Sequence, residues 1–178
     1  IYGAVKEGAR AKDFELAIEW LKDAGLIYKV NRCKKALLPL VAYEDFSAFK
    51  LFLSDIGLMG AMSNIPAQSL LEGNVLFSDF KGALTEQYVL QQLKEKSSLS
   101  IYYWSAENSR GEIDFLVQDK ERIIPIEVKA EENLQAKSLR VFVERNQGLK
   151  GMRLSMSPYR EQDWLANYPL YSVSAIFG

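Results

Sequence analysis

The stretch that decides the fold is Arg110–Lys129, RGEIDFLVQDKERIIPIEVK, which has the pattern of two strands around a polar turn. Residues on either side of the turn Asp119–Arg122 alternate with a period of two, as strands with one buried face do. The apolar set of this alternation consists of Ile113, Phe115, Val117, Ile124, Ile126 and Val128. The sequence therefore predicts a β-hairpin that buries this set and carries its charges on the other face.

The register of this hairpin brings two carboxylates together. With the turn centred between Lys120 and Glu121, Asp114 lies directly opposite Glu127. Opposed Cβ atoms in an antiparallel pair are about 4.5–5.5 Å apart, where like charges repel unless a cation or a proton lies between them. Lys129 points the same way as Glu127. Two carboxylates, a lysine and a hard divalent cation are the minimal parts of a metal-assisted phosphoryl-transfer site.

A structural alternative stays open for these charges, because the solvated face of an edge hairpin also alternates, and Lys129 could simply neutralise Glu127. A third carboxylate would favour the metal site. Segment Asp79–Lys96 has helical periodicity, and Glu86 falls within or at the edge of its apolar stripe. That stripe consists of Ala83, Leu84, Val89, Leu90 and Leu93. A buried carboxylate is costly unless it is paired or metal-bound, although Glu86 could also bend to water.

The order of these parts resembles the PD-(D/E)XK, or restriction-endonuclease-like, superfamily: a helix with an inward Glu, a strand with Asp, a strand with Glu-x-Lys, and another helix. More narrowly, the chain is similar to the C-terminal half of a bacterial and archaeal family of predicted AAA+ ATPases that end in a nuclease-like domain of unknown function. The words that carry this resemblance are ARAKDFELAIEWLKDAGLIYKV, YEDFSAFKLFLSDIGLM, FKGALTEQYVLQQL, YYWSAENSRGEIDFLV and IIPIEVKAEENLQAKSL.

The resemblance implies a role for each matching residue. Glu86 would be the helix carboxylate, Asp114 and Glu127 the metal ligands, and Lys129 the catalytic lysine, with the Val128 carbonyl as a further ligand. The proline that opens the superfamily motif is absent. The resemblance also implies that the chain is a fragment and that ATP binds only in an ATPase module upstream, since the sequence has no GxxxxGK[ST] phosphate loop.

Composition limits the chemistry further. The 178 residues include no histidine, and Cys33 is the single cysteine, so histidine triads and zinc clusters are excluded and Mg²⁺ or Mn²⁺ on oxygen ligands is favoured. The length suits one domain, or one domain and a small appendage, and 48% hydrophobic residues can form a core. The sequence shows no signal peptide and no apolar run of about 20 residues, which predicts a cytoplasmic protein without a membrane segment.

The first part of the chain, residues 1–45, is predicted to be a partial winged-helix segment. Asp13 is a candidate N-cap for its helix, and strands are expected at Leu26–Val30 and Leu37–Tyr43. The basic loop between these strands holds Arg32, Lys34 and Lys35. Such a wing could contact DNA phosphates, and the alternative is that the module only connects and orients domains.

The remaining elements complete an expected α/β fold. Residues 46–78 are predicted to be a helical connector, with one helix at Ser47–Met62 that breaks near Gly57 and a short helix at Ala67–Glu72. Residues 79–178 are predicted to be the nuclease-like domain, with a central mixed sheet flanked by helices. Its further strands are expected at Ser100–Trp104, Gly151–Met156 and Pro169–Ile176, and a further helix at Asn133–Gln147, with Arg110 at the mouth of the site.

Charge leaves two functions open. The site region, residues 101–132, is acidic and the following segment, residues 133–160, is basic, as a phosphodiester enzyme requires. The alternative for the basic segment is a solvated helix face. The whole chain has a net charge of −1, unlike a typical stand-alone nucleic-acid binder. The favoured hypothesis is a Mg²⁺- or Mn²⁺-dependent nuclease domain acting on nucleic acid, with DNA as the expected substrate. The alternative is a non-catalytic domain that binds a partner or regulates the upstream ATPase.

Overall fold

The protein has the α/β architecture that the sequence predicts. A computed structural model describes residues 11–64, 78–107, 111–130 and 136–177. These residues form five α-helices: α1 (Ala11–Asp23), α2 (Ile56–Ser63), α3 (Ser78–Lys94), α4 (Lys137–Arg145) and α5 (Val173–Ile176). Their strands are β1 (Ile27–Cys33), β2 (Glu44–Leu53), β3 (Ser100–Ser105), β4 (Glu112–Asp119), β5 (Arg122–Lys129), β6 (Gly151–Ser155), β7 (Arg160–Glu161) and β8 (Leu165–Pro169).

The eight strands form one mixed sheet in the order β2-β1-β3-β4-β5-β6-β8-β7. Strand β1 runs parallel to β3, and β6 runs parallel to both β5 and β8, while the other neighbours are antiparallel. Helix α3 packs on one face, where Leu90 and Leu93 join a first core cluster with Phe115. Helix α4 packs on the other face, where Leu139 joins a second core cluster with Leu116. The sheet is therefore covered by helices on both sides.

The central hairpin has the predicted register. Phe115 lies opposite Ile126 and Val117 opposite Ile124, which centres the turn between Lys120 and Glu121. The pairing extends as far as Phe115 and Ile126, and Asp114 lies next to it at an irregularity of β4, where its carboxylate accepts a hydrogen bond from the Val128 amide. The direct opposition of Asp114 and Glu127 stays a prediction.

One member of the predicted apolar set lies on the wrong side of the sheet. Phe115 and Val117 pack in the first core cluster, whereas Ile113 packs with Leu116 in the second. The cause is an irregularity in the pairing of β3 with β4, where the register shifts between Tyr102 and Trp104. A bulge of this kind inserts one residue and reverses the alternation beyond it. It also turns Glu112 toward the face that α3 covers.

The first half of the helix expected at Ser47–Met62 is a strand, and only the second half is helical. Residues Glu44–Leu53 form β2, which pairs with β1, and helix α2 begins only at Ile56, close to the expected break at Gly57. The strand expected at Leu37–Tyr43 is likewise wrong, since Leu40–Tyr43 forms a 3₁₀ turn. Pairing with β1 outweighs the local helical spacing of the apolar residues, because strand formation depends strongly on the neighbouring strand.

The helix-then-hairpin order of the first segment is present, and its hairpin joins the main sheet through β1 and β3, with Arg32 opposite Tyr103. Helix α1 already includes Ala11, so Asp13 is not its N-cap. The cationic side chains of the expected wing contact other side chains of the protein. Arg32 and Lys34 form ion pairs with Asp45, and the Lys35 ammonium lies 6.0 Å from the ring centre of Tyr43. The winged-helix assignment and the three domain boundaries stay predictions.

The C-terminal part departs from the sequence prediction in its last strand. Residues Pro169–Ile176 were expected to be a strand, but β8 ends at Pro169, and a 3₁₀ turn and helix α5 follow. The described part of the helix expected at Asn133–Gln147 is α4. The helix expected at Ala67–Glu72 and the side chain of Arg110 lie outside the described residues. Among the described helices, none combines the length and hydropathy that a membrane span needs.

Candidate functional site

Helix α3 places Glu86 at the border of the apolar stripe. Val89, Leu90 and Leu93 are fully buried, whereas the Glu86 side chain keeps 31% of its surface exposed. Burial raises the pKa of Glu86, and the neighbouring Glu112 carboxylate adds to the rise while a lysine opposes it. Glu86 is therefore a half-buried carboxylate that is held close to other charges.

A buried glutamine next to Glu86 fixes this helix against the edge hairpin. The Gln87 Oε1 accepts a hydrogen bond of 2.9 Å from the Leu53 backbone amide, and its Nε2 donates to the Leu53 carbonyl. Gln87 is only 2% exposed, so both bonds are shielded from water. The side chain thus pairs both backbone groups at the end of β2 and sets the spacing between β2 and α3.

This spacing brings Lys50 into the site. Lys50 is not among the residues that the sequence predicted for the site. The Lys50 ammonium lies 3.7 Å from Glu86 Oε2 and also forms an ion pair with Glu112. It lies 5.2 Å from the ring centre of Tyr103, within the range of a cation–π contact. Lys50 and Glu112 were missed because the sequence predicted a helix at Lys50 and gave no sign of the bulge that turns Glu112.

The hairpin carboxylate Asp114 is anchored across the two strands. Its Oδ2 accepts a hydrogen bond of 2.7 Å from the Val128 backbone amide. Burial and the negative charge of Glu86 raise the pKa of Asp114 to about 7, and the charge of Glu127 adds to the rise. A carboxylate among other carboxylates in a poorly solvated position is the arrangement that a cation stabilises.

The Glu-x-Lys pair lies on the neighbouring strand. The Lys129 ammonium is 2.7 Å from Glu127 Oε1, and the Glu127 side chain is only 9% exposed. The other carboxylate oxygen, Oε2, is buried and has no hydrogen-bond partner among the described residues. A buried acceptor without a donor is costly, so this oxygen is suited to a cation or to a donor from a bound molecule.

The four residues predicted as a site come together, and Asp114 links them. Its charge interacts with Glu86 and Lys50 on one side and with Glu127 on the other. All the acidic donors are hard oxygen atoms, as Mg²⁺ and Mn²⁺ prefer. Within the part of the chain that the structure describes, however, no three acidic, histidine or cysteine side chains already converge on one point where a metal ion could bind. The carboxylate oxygens are of the type that such an ion binds. Side chains would have to move before three of them could coordinate one ion.

Glu86 borders a small cavity. This cavity of about 180 Å³ is lined by Glu86, Gln87 and apolar residues of β2 and α2, including Phe52 and Met59. A larger cavity of about 410 Å³ lies at the turn end of the hairpin, beside Arg122 and Lys150, and none of the four predicted site residues lines it. The cavity at the turn end is therefore separate from the four predicted residues, and we assign the site from the carboxylates.

Two family profiles match parts of this chain. The profile of a domain of unknown function, DUF4143, matches residues 81–173, which is just over half of the chain. The chain belongs to the DUF4143 family. A second domain of unknown function, DUF8612, matches residues 1–69. None of the curated proteins and none of the solved structures compared with the chain matches it.

The two family matches share one sheet. Strands β1 and β2 lie in the DUF8612 match, and strands β3 to β8 lie in the DUF4143 match. The pairing of Arg32 with Tyr103 joins the two sets. Lys50 comes from the first match, whereas Glu86, Glu112 and Asp114 come from the DUF4143 match. The candidate site is therefore built from both.

Proposed function

We propose that this DUF4143 protein is the nuclease-like part of an AAA+ ATPase and that it hydrolyses phosphodiester bonds of nucleic acid, with DNA as the expected substrate. The observation that carries the proposal is the buried, partnerless Glu127 Oε2 beside Lys129, on a strand whose neighbour presents Asp114. If Glu127 only formed an ion pair with Lys129, burial of its second oxygen without a hydrogen-bond donor would cost free energy and bring no gain.

The residues have distinct roles in this proposal. Asp114 and Glu127, with Glu86 and the Val128 carbonyl, would hold Mg²⁺ or Mn²⁺. A bound divalent ion lowers the pKa of water and neutralises charge on a phosphate. Lys129 would orient the attacking water, since its ammonium already lies 2.7 Å from Glu127 Oε1. The Val128 amide holds the Asp114 carboxylate in place against the Glu127 strand.

The fold supports the proposed function, but the proposal does not depend on the fold alone. The mixed sheet has helices on both faces and presents Asp and Glu-x-Lys on adjacent antiparallel strands, as in the restriction-endonuclease-like superfamily that the sequence resembles. In this proposal an upstream ATPase module binds ATP, and the site described here binds the nucleic acid. Function is argued from the site, because one fold supports many functions.

Metal binding is the first test because it needs no choice of substrate. Isothermal titration of Mn²⁺ into the wild type should show saturable binding, and Asp114→Asn should abolish it. Glu144→Gln is the matched control, since Glu144 is an exposed carboxylate paired with Arg140 on α4. Equal binding by the wild type and Asp114→Asn would rule out the hairpin as the metal site.

Cleavage is tested with labelled single-stranded and duplex DNA and RNA in Mn²⁺. Lys129→Ala should lose cleavage while it keeps its fold and its Mn²⁺ affinity, and Lys120→Ala in the exposed turn should cleave like the wild type. Full cleavage by Lys129→Ala would refute the role assigned to that lysine.

A second function is favoured by one specific observation. Glu86 and Glu112 form ion pairs with Lys50, and Glu127 forms one with Lys129, so each of these carboxylates already has a cationic partner within the protein. A non-catalytic domain that binds a partner or regulates the ATPase would have this property. Folded wild-type protein that neither binds Mn²⁺ nor cleaves any of the four substrates would favour this second function.

A further inference from the structure

We propose that Lys50 is a tethered cation that occupies the carboxylate site and competes with the divalent ion, so that metal binding displaces it. This inference rests on the proposed metal site and adds two residues to it, Lys50 as the competing charge and Glu112 as the carboxylate that retains it.

The position of Lys50 is fixed by the edge hairpin. Lys50 lies opposite Val30 in the pairing of β1 with β2, and Val30 is buried in the first core cluster under α3. Opposed residues of an antiparallel pair share a face, so Lys50 must point toward α3 and Glu86. The side chain is only 25% exposed, and the Tyr103 ring lies beside its ammonium. Lys50 is therefore placed in the site by its strand.

The carboxyl groups around Lys50 outnumber its single positive charge. Glu86 and Glu112 form ion pairs with its ammonium, and the charge of Asp114 also acts on it. The Lys50 ammonium thus faces three carboxyl groups, of which Glu86 is also within reach of the Lys129 charge. A divalent ion would balance them better, because hard divalent cations gather several carboxylate oxygens at one point. Lys50 is a partial substitute for that ion.

The same contacts explain why the carboxylates do not yet converge. Glu86 Oε2 is directed at the Lys50 ammonium, while Asp114 Oδ2 is directed at the Val128 amide. Glu86 can join Asp114 and Glu127 on one ion only when its contact with Lys50 is lost. Binding of the ion and the Lys50–Glu86 pair are therefore alternatives, and each weakens the other.

The test compares Mn²⁺ affinity across lysine variants of the full chain. Lys50→Met keeps the length of the side chain and removes the charge, and it should bind Mn²⁺ about tenfold or more tightly than the wild type, since one repelling charge is removed from a poorly solvated site. Lys50→Arg keeps the charge and should bind about as the wild type does. The matched control is Lys29→Met, because the Lys29 ammonium lies over the Phe49 ring on the same hairpin.

The outcomes separate this inference from the metal site itself. Binding that is unchanged or weaker in Lys50→Met, with wild-type circular dichroism and melting temperature, would overturn the competition and leave the metal site standing. Absence of binding in both proteins would overturn the metal site and the competition together. Binding by Lys50→Met but not by the wild type would support both.

A measurement on the wild type covers the case in which Lys50→Met does not fold. In a Mg²⁺ titration followed by the ¹³Cε signals of labelled lysines, the Lys50 signal should move in step with occupancy, while that of Lys29 stays in place. A Lys50 signal that is unaffected at saturating Mg²⁺ would refute the displacement.

Discussion

The Asp114 carboxylate accepts a hydrogen bond of 2.7 Å from the Val128 amide, across the hairpin that also carries Glu127 and Lys129. The bond fixes an acidic side chain in a place where burial and the charge of Glu86 raise its pKa to about 7. In the folded protein without metal, Asp114 therefore holds a proton well above the pH at which an unfolded chain would release it. We therefore expect the stability of the protein, and the Mn²⁺ affinity of the proposed site, to depend on that proton.

Stability should decrease as pH rises because of Asp114. The pKa of Asp114 is about 7 in the folded protein and 3.8 in an unperturbed aspartate. The folded state therefore binds more protons between these values, and the stabilisation present below pH 4 is lost by about pH 7. Asp114→Asn keeps an acceptor for the Val128 amide and removes the titration. Its melting temperature should exceed that of the wild type by several degrees at pH 8 and approach it at pH 4. A pH profile parallel to that of the wild type would contradict this, and Glu144→Gln is the control.

Metal affinity should change with pH in the opposite direction. A proton must leave Asp114 before its carboxylate can hold a cation, so Mn²⁺ affinity should increase about tenfold per pH unit below pH 7 and level off above it. Titrations at pH 6, 7 and 8 in buffers that do not bind the metal measure this. Affinity independent of pH over this range would show that Asp114 is ionised before the metal binds.

Loss of the Gln87 side chain should destabilise the junction between α3 and β2. Gln87→Leu preserves the volume but leaves the buried amide and carbonyl of Leu53 without their partner, which should cost about 2–4 kcal/mol of unfolding free energy. Gln91→Leu is the control, since its amide reaches Ile56 and Asp55 at a more exposed position, and it should cost less than about 1 kcal/mol. Urea unfolding of both variants measures the difference, and equal losses would contradict the special role of Gln87.

The parts of the fold that were predictable are those in which local and tertiary signals agree. The central hairpin combines a period-two alternation with a polar turn, so its register between Phe115–Asp119 and Arg122–Ile126 was predictable from the sequence. In helix α3, Val89, Leu90 and Leu93 are buried as the stripe predicts and Glu86 lies at its border, whereas Ala83 is exposed. In both cases the burial pattern that the chain prefers locally is also the one that the sheet requires.

The parts that were missed depend on partners distant in sequence. The spacing of Phe49, Phe52 and Leu53 is typical of a helix, yet pairing with β1 makes this segment a strand. Lys50 could not be placed in the site without that strand. Glu112 depends on a bulge that β3 imposes on β4, and no residue in the local sequence signals it.

A close contact between α4 and β6 gives the last prediction. A Cβ atom added at Gly151 would lie 3.0 Å from Leu139 Cδ2 and 3.1 Å from its Cγ, under a helix that is fully packed on the sheet. Gly151→Ala should therefore destabilise the protein by about 1–3 kcal/mol through overpacking. Gly60→Ala is the matched control: Gly60 lies inside α2, and nothing is within 4 Å of its added Cβ, so it should stabilise by about 0.5–1 kcal/mol. Urea unfolding of both variants checks the two signs. A neutral Gly151→Ala would show that Leu139 can move and that α4 is not locked on β6.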